Sequence, residues 1–132
     1  MIKRLSITIP IPPITKKNHQ QIITRKSGGK KIPMVIPSKQ YREYEKRCGE
    51  YITSTVGIDY PVNVKALYYM PTRRRVDLTN LHEALHDVLV KYNVLADDNS
   101  KIIVSTDGSR VLYDKEHPRT EVIITALEED DV

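Results

Sequence analysis

Apolar and polar residues alternate from Leu5 through Ser6, Ile7 and Thr8 to Ile9, the period of a strand with one buried face. Pro10-Ile11-Pro12-Pro13 ends it, because proline cannot donate to a ladder and biases its predecessor away from helix. Between residues 15 and 37 the pattern dissolves into lysine pairs, Ser27-Gly28-Gly29 and Pro33, which predicts a long loop or a flexible hairpin. Regular spacing returns behind Pro37, where Ser38 is a good helix cap. Tyr41, Tyr44, Cys48, Tyr51 and Ile52 then recur at helical intervals opposite Arg42, Lys46 and Glu50. Gly57 is expected just past the end of that helix. A tyrosine stripe at this spacing predicts core packing rather than base stacking.

Strict alternation of Val62, Val64, Ala66, Tyr68 and Met70 predicts a half-buried strand over 62–70, closed by Pro71. A second helix follows, capped by Asp77 or Thr79, with Leu81, Leu85, Val88, Leu89 and Tyr92 as its apolar stripe and Asn93 as a left-handed stop. Lys101–Thr106 and Ser109–Tyr113 read as extended, with Asp107-Gly108 as a turn or bulge between them. Asp114–Arg119 reads as a loop and Glu121–Leu127 as a last strand, burying Val122, Ile124 and Ala126. Two helices lie between strands at both ends, which predicts a small α+β domain with a mixed or antiparallel sheet.

At 132 residues the chain is read as one domain, 1–132, with a basic loop at 15–37 and an acidic tail at 128–132. No apolar run approaches the roughly 18 residues of a membrane span, and Met1-Ile2-Lys3-Arg4 opens no secretory signal. The single cysteine excludes a disulfide framework and fits a reducing cytoplasm. The net charge of +4 hides an asymmetry: residues 1–42 hold 10 Lys/Arg and no acid, whereas residues 43–132 hold 11 basic and 17 acidic residues. A split of +10 against −6 suggests a nucleic-acid partner. A solvated basic loop in an otherwise ordinary domain gives the same count.

Three constellations carry candidate chemistry. Arg73-Arg74-Arg75 leads into Asp77 at the start of the second helix, and Asp97-Asp98 lies beyond its far end. Phosphodiester hydrolysis needs hard oxygen ligands for a divalent cation and positive charge near the scissile phosphate. Capping and turn formation account for the same carboxylates. Asn80, Glu83 and Asp87 share an arc of that helix away from the apolar stripe, which either extends the acidic site or is a solvated face. His82-Glu83-Ala84-Leu85-His86 is a literal H-E-x-x-H, the zinc-peptidase spacing. It lacks a third-ligand pattern, since His117 in a proline-containing loop is the single histidine downstream.

The stretch Met70-Pro71-Thr72-Arg73-Arg74-Arg75-Val76-Asp77-Leu78-Thr79-Asn80-Leu81, continued by Leu95-Ala96-Asp97-Asp98, resembles the RusA family of Holliday junction resolvases. Ile7-Thr8-Ile9-Pro10-Ile11-Pro12-Pro13, with Asn18 after it, is similar to the family's strand and proline-rich opening. The resemblance implies a prophage-type endonuclease that acts as a homodimer on four-way DNA junctions with Mg²⁺ or Mn²⁺. Carried over by position, Asp77 and Asp98 match metal-binding carboxylates, Asp97 is the neighbouring acid, and the arginines match a phosphate-gripping run. Two positions depart from the family pattern: Thr79 stands where a second aspartate is usual, and Glu83 where a lysine is frequent.

The expectation is therefore a structure-selective, metal-dependent endodeoxyribonuclease with Asp77, Asp98, Asp97 and Glu83 as catalytic residues. Asp77 and Asp98 would hold the metal. Arg73, Arg74, Arg75, Lys16, Lys17, Lys30 and Lys31 would hold DNA. The expected partners are branched DNA and a second copy of the chain, with no membrane and no small-molecule substrate. The rival readings are a non-catalytic junction binder, motivated by Thr79, and more remotely a zinc peptidase.

Overall fold

The computed structural model describes residues 1–16 and 20–132. The elements run β1 (Arg4–Ile9), β2 (Gln20–Ser27), β3 (Lys30–Pro37), α1 (Lys39–Tyr51), β4 (Val62–Met70), α2 (Leu78–Lys91), β5 (Ile103–Ser105), β6 (Arg110–Tyr113) and β7 (Arg119–Ala126). This is the small α+β architecture expected. The tail adds a single exposed 3-10 turn at Glu129–Asp131.

The main sheet has the order β1-β7-β4-β5, with β6 also paired to β4. β7 lies antiparallel between β1 and β4, with Ile7 opposite Val122 and Ala66 opposite Val122 on its other side. Alternation places Ile7, Ile9, Val62, Val64, Ala66, Tyr68, Val122 and Ile124 on one face, all buried. Both helices contribute to that same core, α1 with Tyr41, Tyr44 and Cys48 and α2 with Leu81, Ala84, Leu85, Val88 and Leu89. Fully burying one such aliphatic side chain contributes about 1.5–3 kcal/mol, which fixes the register of each strand. The Tyr41 hydroxyl donates to the Ala84 carbonyl at 3.4 Å and the Tyr92 hydroxyl to the Glu45 carbonyl at 2.8 Å, tying the helices together.

β5 and β6 both run parallel to β4, at its two ends: Val62 pairs with Ile103, and Leu67–Met70 with Arg110–Tyr113. Lys101–Thr106 and Ser109–Tyr113 are thus shorter than the pattern suggested and do not pair with each other. Between them the chain bulges, as Asp107-Gly108 allowed. The Asn63 side chain replaces the missing ladder bonds, its Oδ1 accepting from Asp107 N at 2.7 Å and its Nδ2 donating to Asp107 O at 3.1 Å.

Of the two alternatives for residues 15–37, the hairpin holds over residues 20–37 in place of the basic loop, with Lys26 opposite Lys31 and a turn in which Gly28 and Gly29 adopt φ of 56° and 81°. Both strands of a two-stranded ribbon are edges, so Pro33 costs it little. Two other local expectations need correction. α1 ends at Ile52 in extended backbone rather than at Gly57. Gly57 instead donates its N–H to the Asn93 carbonyl at 2.8 Å, in a left-handed conformation that brings it against the Asn93 side chain. β7 begins at Arg119, two residues before the alternation is readable, because Arg119 and Thr120 already pair with β4. The expectations at Lys17 and Asn18 lie outside the described residues.

Candidate active site and nucleic-acid interface

β4 delivers the chain to the site, and α2 carries it away. Pro71–Val76 connects them without regular structure, so Arg73, Arg74 and Arg75 are exposed. Arg73 lies over the Tyr113 ring, 4.1 Å from its centroid, a partner on β6 that spacing along the sequence could not reveal. Arg74 and Arg75 form no ion pair with a described residue.

Asp77 occupies the N-cap position of α2, in extended backbone, as expected. Its carboxylate does not cap the helix. Oδ2 accepts from Asn80 Nδ2 at 3.3 Å instead, leaving the acid exposed at the positive end of the helix dipole. Thr79 lies inside α2 and is exposed. Asp77 therefore combines a hard oxygen donor, free helix N–H groups and two unpaired guanidiniums within a short stretch.

Asp97 and Asp98 are elsewhere. Fourteen residues of α2 extend about 21 Å, and the chain leaving its C-terminus bonds Ala96 N to the Ile58 carbonyl. That contact holds the Asp97-Asp98 turn near the start of β4, whereas Asp77 follows its end. Asp97 Oδ1 accepts from Asp98 N at 2.8 Å and Oδ2 from Asn99 Nδ2 at 2.8 Å. Those bonds, the Asn99 amide first, hold its pKa below the usual carboxylate value. Asn99 was not singled out from the sequence, although an Asp-Asp-Asn string is a turn signal.

Glu83 is exposed on α2, and Asp87, one turn on, pairs with Lys16 at 3.1 Å. Lys16 is thus held against α2 as well as being a candidate DNA contact. Lys30 and Lys31 open β3 beside the hairpin turn, fully in solvent. Among the described residues, no three His, Cys, Asp or Glu side chains come together to hold a cation.

The H-E-x-x-H histidines do not converge on a metal. Their rings stack in parallel, 5.4 Å between centroids and 7° between planes, and His82 Nδ1 is 2.7 Å from the Tyr68 hydroxyl. Zinc ligation needs nitrogens aimed at one point about 2.0–2.1 Å away. Burial lowers the pKa of both imidazoles, that of His86 to about 4. His117 lies exposed in its loop, its backbone N–H donating to Asp114 at 3.0 Å. The Cys48 thiol is buried in the core and pushed up to about 11 by that burial, so it is no nucleophile.

A cleft of about 530 Å³ opens beside the arginine connection, between the proline-rich segment after β1, the first turns of α1 and residues 70–76. Sequence reading missed it, because its walls come from segments about 60 positions apart.

A family description, "Endodeoxyribonuclease RusA", matches residues 10–125. The crossover junction endodeoxyribonuclease RusA of Escherichia coli K12 is 31% identical over 93 residues, covering 70% of this chain and 72% of the relative. The protein of the same description from Shigella sonnei Ss046 gives the same figures. That of Enterobacteria phage 82 is 30% identical over 92 residues, with 70% and 72% covered. The matched residues include β4, the arginine connection, α2 and the Asp97-Asp98 turn, and the chain belongs to the RusA endodeoxyribonuclease family.

Proposed function

We propose that this protein is a structure-selective endodeoxyribonuclease that resolves four-way DNA junctions in the cytoplasm, as a metal-dependent homodimer active in recombination and repair. The observation that carries the reading is the family match, since the chain covers 72% of the length of relatives named crossover junction endodeoxyribonucleases. The chemistry at α2 supports it. Arg74 and Arg75 would grip phosphates on either side of the scissile bond, and Arg73, steadied by Tyr113, would fix the strand's direction. Asp77 would stand beside the reacting phosphate, where the helix N-terminus stabilises developing negative charge.

The acidic oxygens suit Mg²⁺ or Mn²⁺, which would supply Lewis-acid charge when bound. A single chain does not offer them together, because Asp77 and Asp98 lie at opposite ends of α2. Two copies related by a two-fold axis, with their α2 helices antiparallel, would set Asp77 of one against Asp98 of the partner subunit. This is the physical argument for a dimer, with Glu83 or Asp97 completing the site.

The test is cleavage of labelled synthetic junctions with either metal. The parent cuts, whereas Asp77→Asn and Asp98→Asn each abolish cutting. Mixed and allowed to exchange subunits, the two dead variants regain activity, since about half the dimers then hold one intact composite site. Cutting by either variant alone overturns the assignment, and failure to regain activity on mixing overturns the shared site. A second reading, a junction binder without catalysis, is favoured by the neutral Thr79 in the first turn of α2. Metal-dependent nicking by the parent, lost in Asp77→Asn, overturns that reading.

A further inference from the structure

The cleft beside the arginines is unlike a surface that meets phosphates alone. Its floor is apolar, built from Ile11, Pro13, Tyr44, Met70 and Val76, with Ile11 and Tyr44 only 3% and 5% exposed. Its rim is polar: Gln40, Glu43 and Arg47 on α1 face Arg74 and Arg75 on the connection. Three guanidiniums against one carboxylate leave the rim cationic. The volume of about 530 Å³ lies within the range of small-molecule sites.

A flat, apolar-faced group with an anion at its edge fits that combination, and a single nucleotide has that form. An apolar peptide or lipid leaves the guanidiniums without partners, and an acidic side chain leaves the floor uncovered. The Glu43 carboxylate and Gln40 amide stand where an acceptor and a donor can meet a base edge; among the described residues, Glu43 has an ion pair only with the exposed Lys39, at 3.9 Å. Arg75 lines the cleft and precedes Asp77 by two residues, so a nucleotide seated here adjoins the phosphate at the α2 N-terminus. Base pairs at a branch point have lost a stacking neighbour, and extruding one of their bases costs only a few kcal/mol.

We infer that this cleft receives one unstacked nucleobase of the strand that crosses Arg74, Arg75 and Asp77. The inference rests on the nuclease reading above and assigns residues 11–15 and the first turns of α1 to substrate binding, a role the sequence did not suggest for either.

The experiment places 2-aminopurine, whose fluorescence rises when it leaves the stack, at each nucleotide flanking the branch point in turn. Full-length parent raises the signal several-fold at one position. Gln40→Trp fills the mouth of the cleft from an exposed site and returns the signal to that of the free junction; Glu43→Trp, one turn on, does the same. Lys46→Trp, exposed on α1 outside the cleft, keeps the rise and controls for the added indole. Thermal melts confirm that the variants fold, and metal-dependent cutting is measured on the same substrates. Cutting without a rise that Gln40→Trp removes overturns the base pocket and leaves the nuclease reading intact. Such a rise without cutting supports the pocket and overturns the nuclease reading, and absence of both overturns both.

Discussion

Mild acid should loosen this fold through one histidine. His86 stacks on His82 inside the α2 face, and its Nε2 is buried without a hydrogen-bond partner among the described residues. Burial, reinforced by His82, lowers its pKa from 6.5 to about 4, while Asp87 acts in the opposite direction from its pair with Lys16. In the unfolded chain the imidazole takes a proton as pH falls through 6.5; in the folded chain it resists until about 4. Between those values the unfolded state binds more protons, so stability present above pH 6.5 is lost as pH falls toward 4. Integrated from pH 7 to pH 5, this group alone removes about 2 kcal/mol, out of about 3 kcal/mol below both values. Urea unfolding followed by far-ultraviolet circular dichroism at the two pH values measures the loss. His86→Leu keeps a similar volume without a titrating group, so the parent should lose about 2 kcal/mol more than the variant. His82, also lowered by burial, contributes equally to both proteins. Equal losses in parent and His86→Leu refute the reasoning.

Other outcomes follow from the same geometry. Tyr68→Phe strips His82 Nδ1 of its 2.7 Å partner in the core and should cost about 1–3 kcal/mol in urea titrations at pH 7. Gly49→Ala should destabilise despite a helix-propensity gain of about 1 kcal/mol, because the new Cβ lands 2.5–2.8 Å from Tyr92 ring and hydroxyl atoms. Tyr92→Leu in the same chain should recover much of that loss, read as a rise in melting temperature. Arg74→Ala and Arg75→Ala should each reduce the slope of log affinity for junction DNA against log salt by about 1, measured by fluorescence anisotropy.

Much of the fold is readable from periodicity wherever one face is buried. Leu5–Ile9, Val62–Met70 and the Leu81–Leu89 stripe each repeat their apolar residues at the period of the element they form. The β2–β3 ribbon has no such signal, since residues 24–33 are exposed on both faces; only Ser27-Gly28-Gly29 marks its turn. The split edge strand is legible as two extended segments about Asp107-Gly108, but the Asn63 side chain that bridges its bulge is not, because no hydrophobic pattern encodes that bond. At the site, Asp77 is legible because a helix start is local. The Lys16–Asp87 pair joins residues 71 positions apart, and the cleft walls come from three separate segments, so both depend on the finished fold.

The hairpin has an electrostatic consequence. Strands of eight residues put its turn, with Lys26, Lys30 and Lys31, about 26 Å from the end where β3 passes into Ser38 and α1. Physiological salt screens charge over about 8 Å, so across that length screening alone weakens the tip's potential roughly 25-fold. The tip lysines cannot raise the potential around a group at the hairpin's base. In the proposed complex with DNA they would act only on what they touch, their contribution adding to that of the body without changing it.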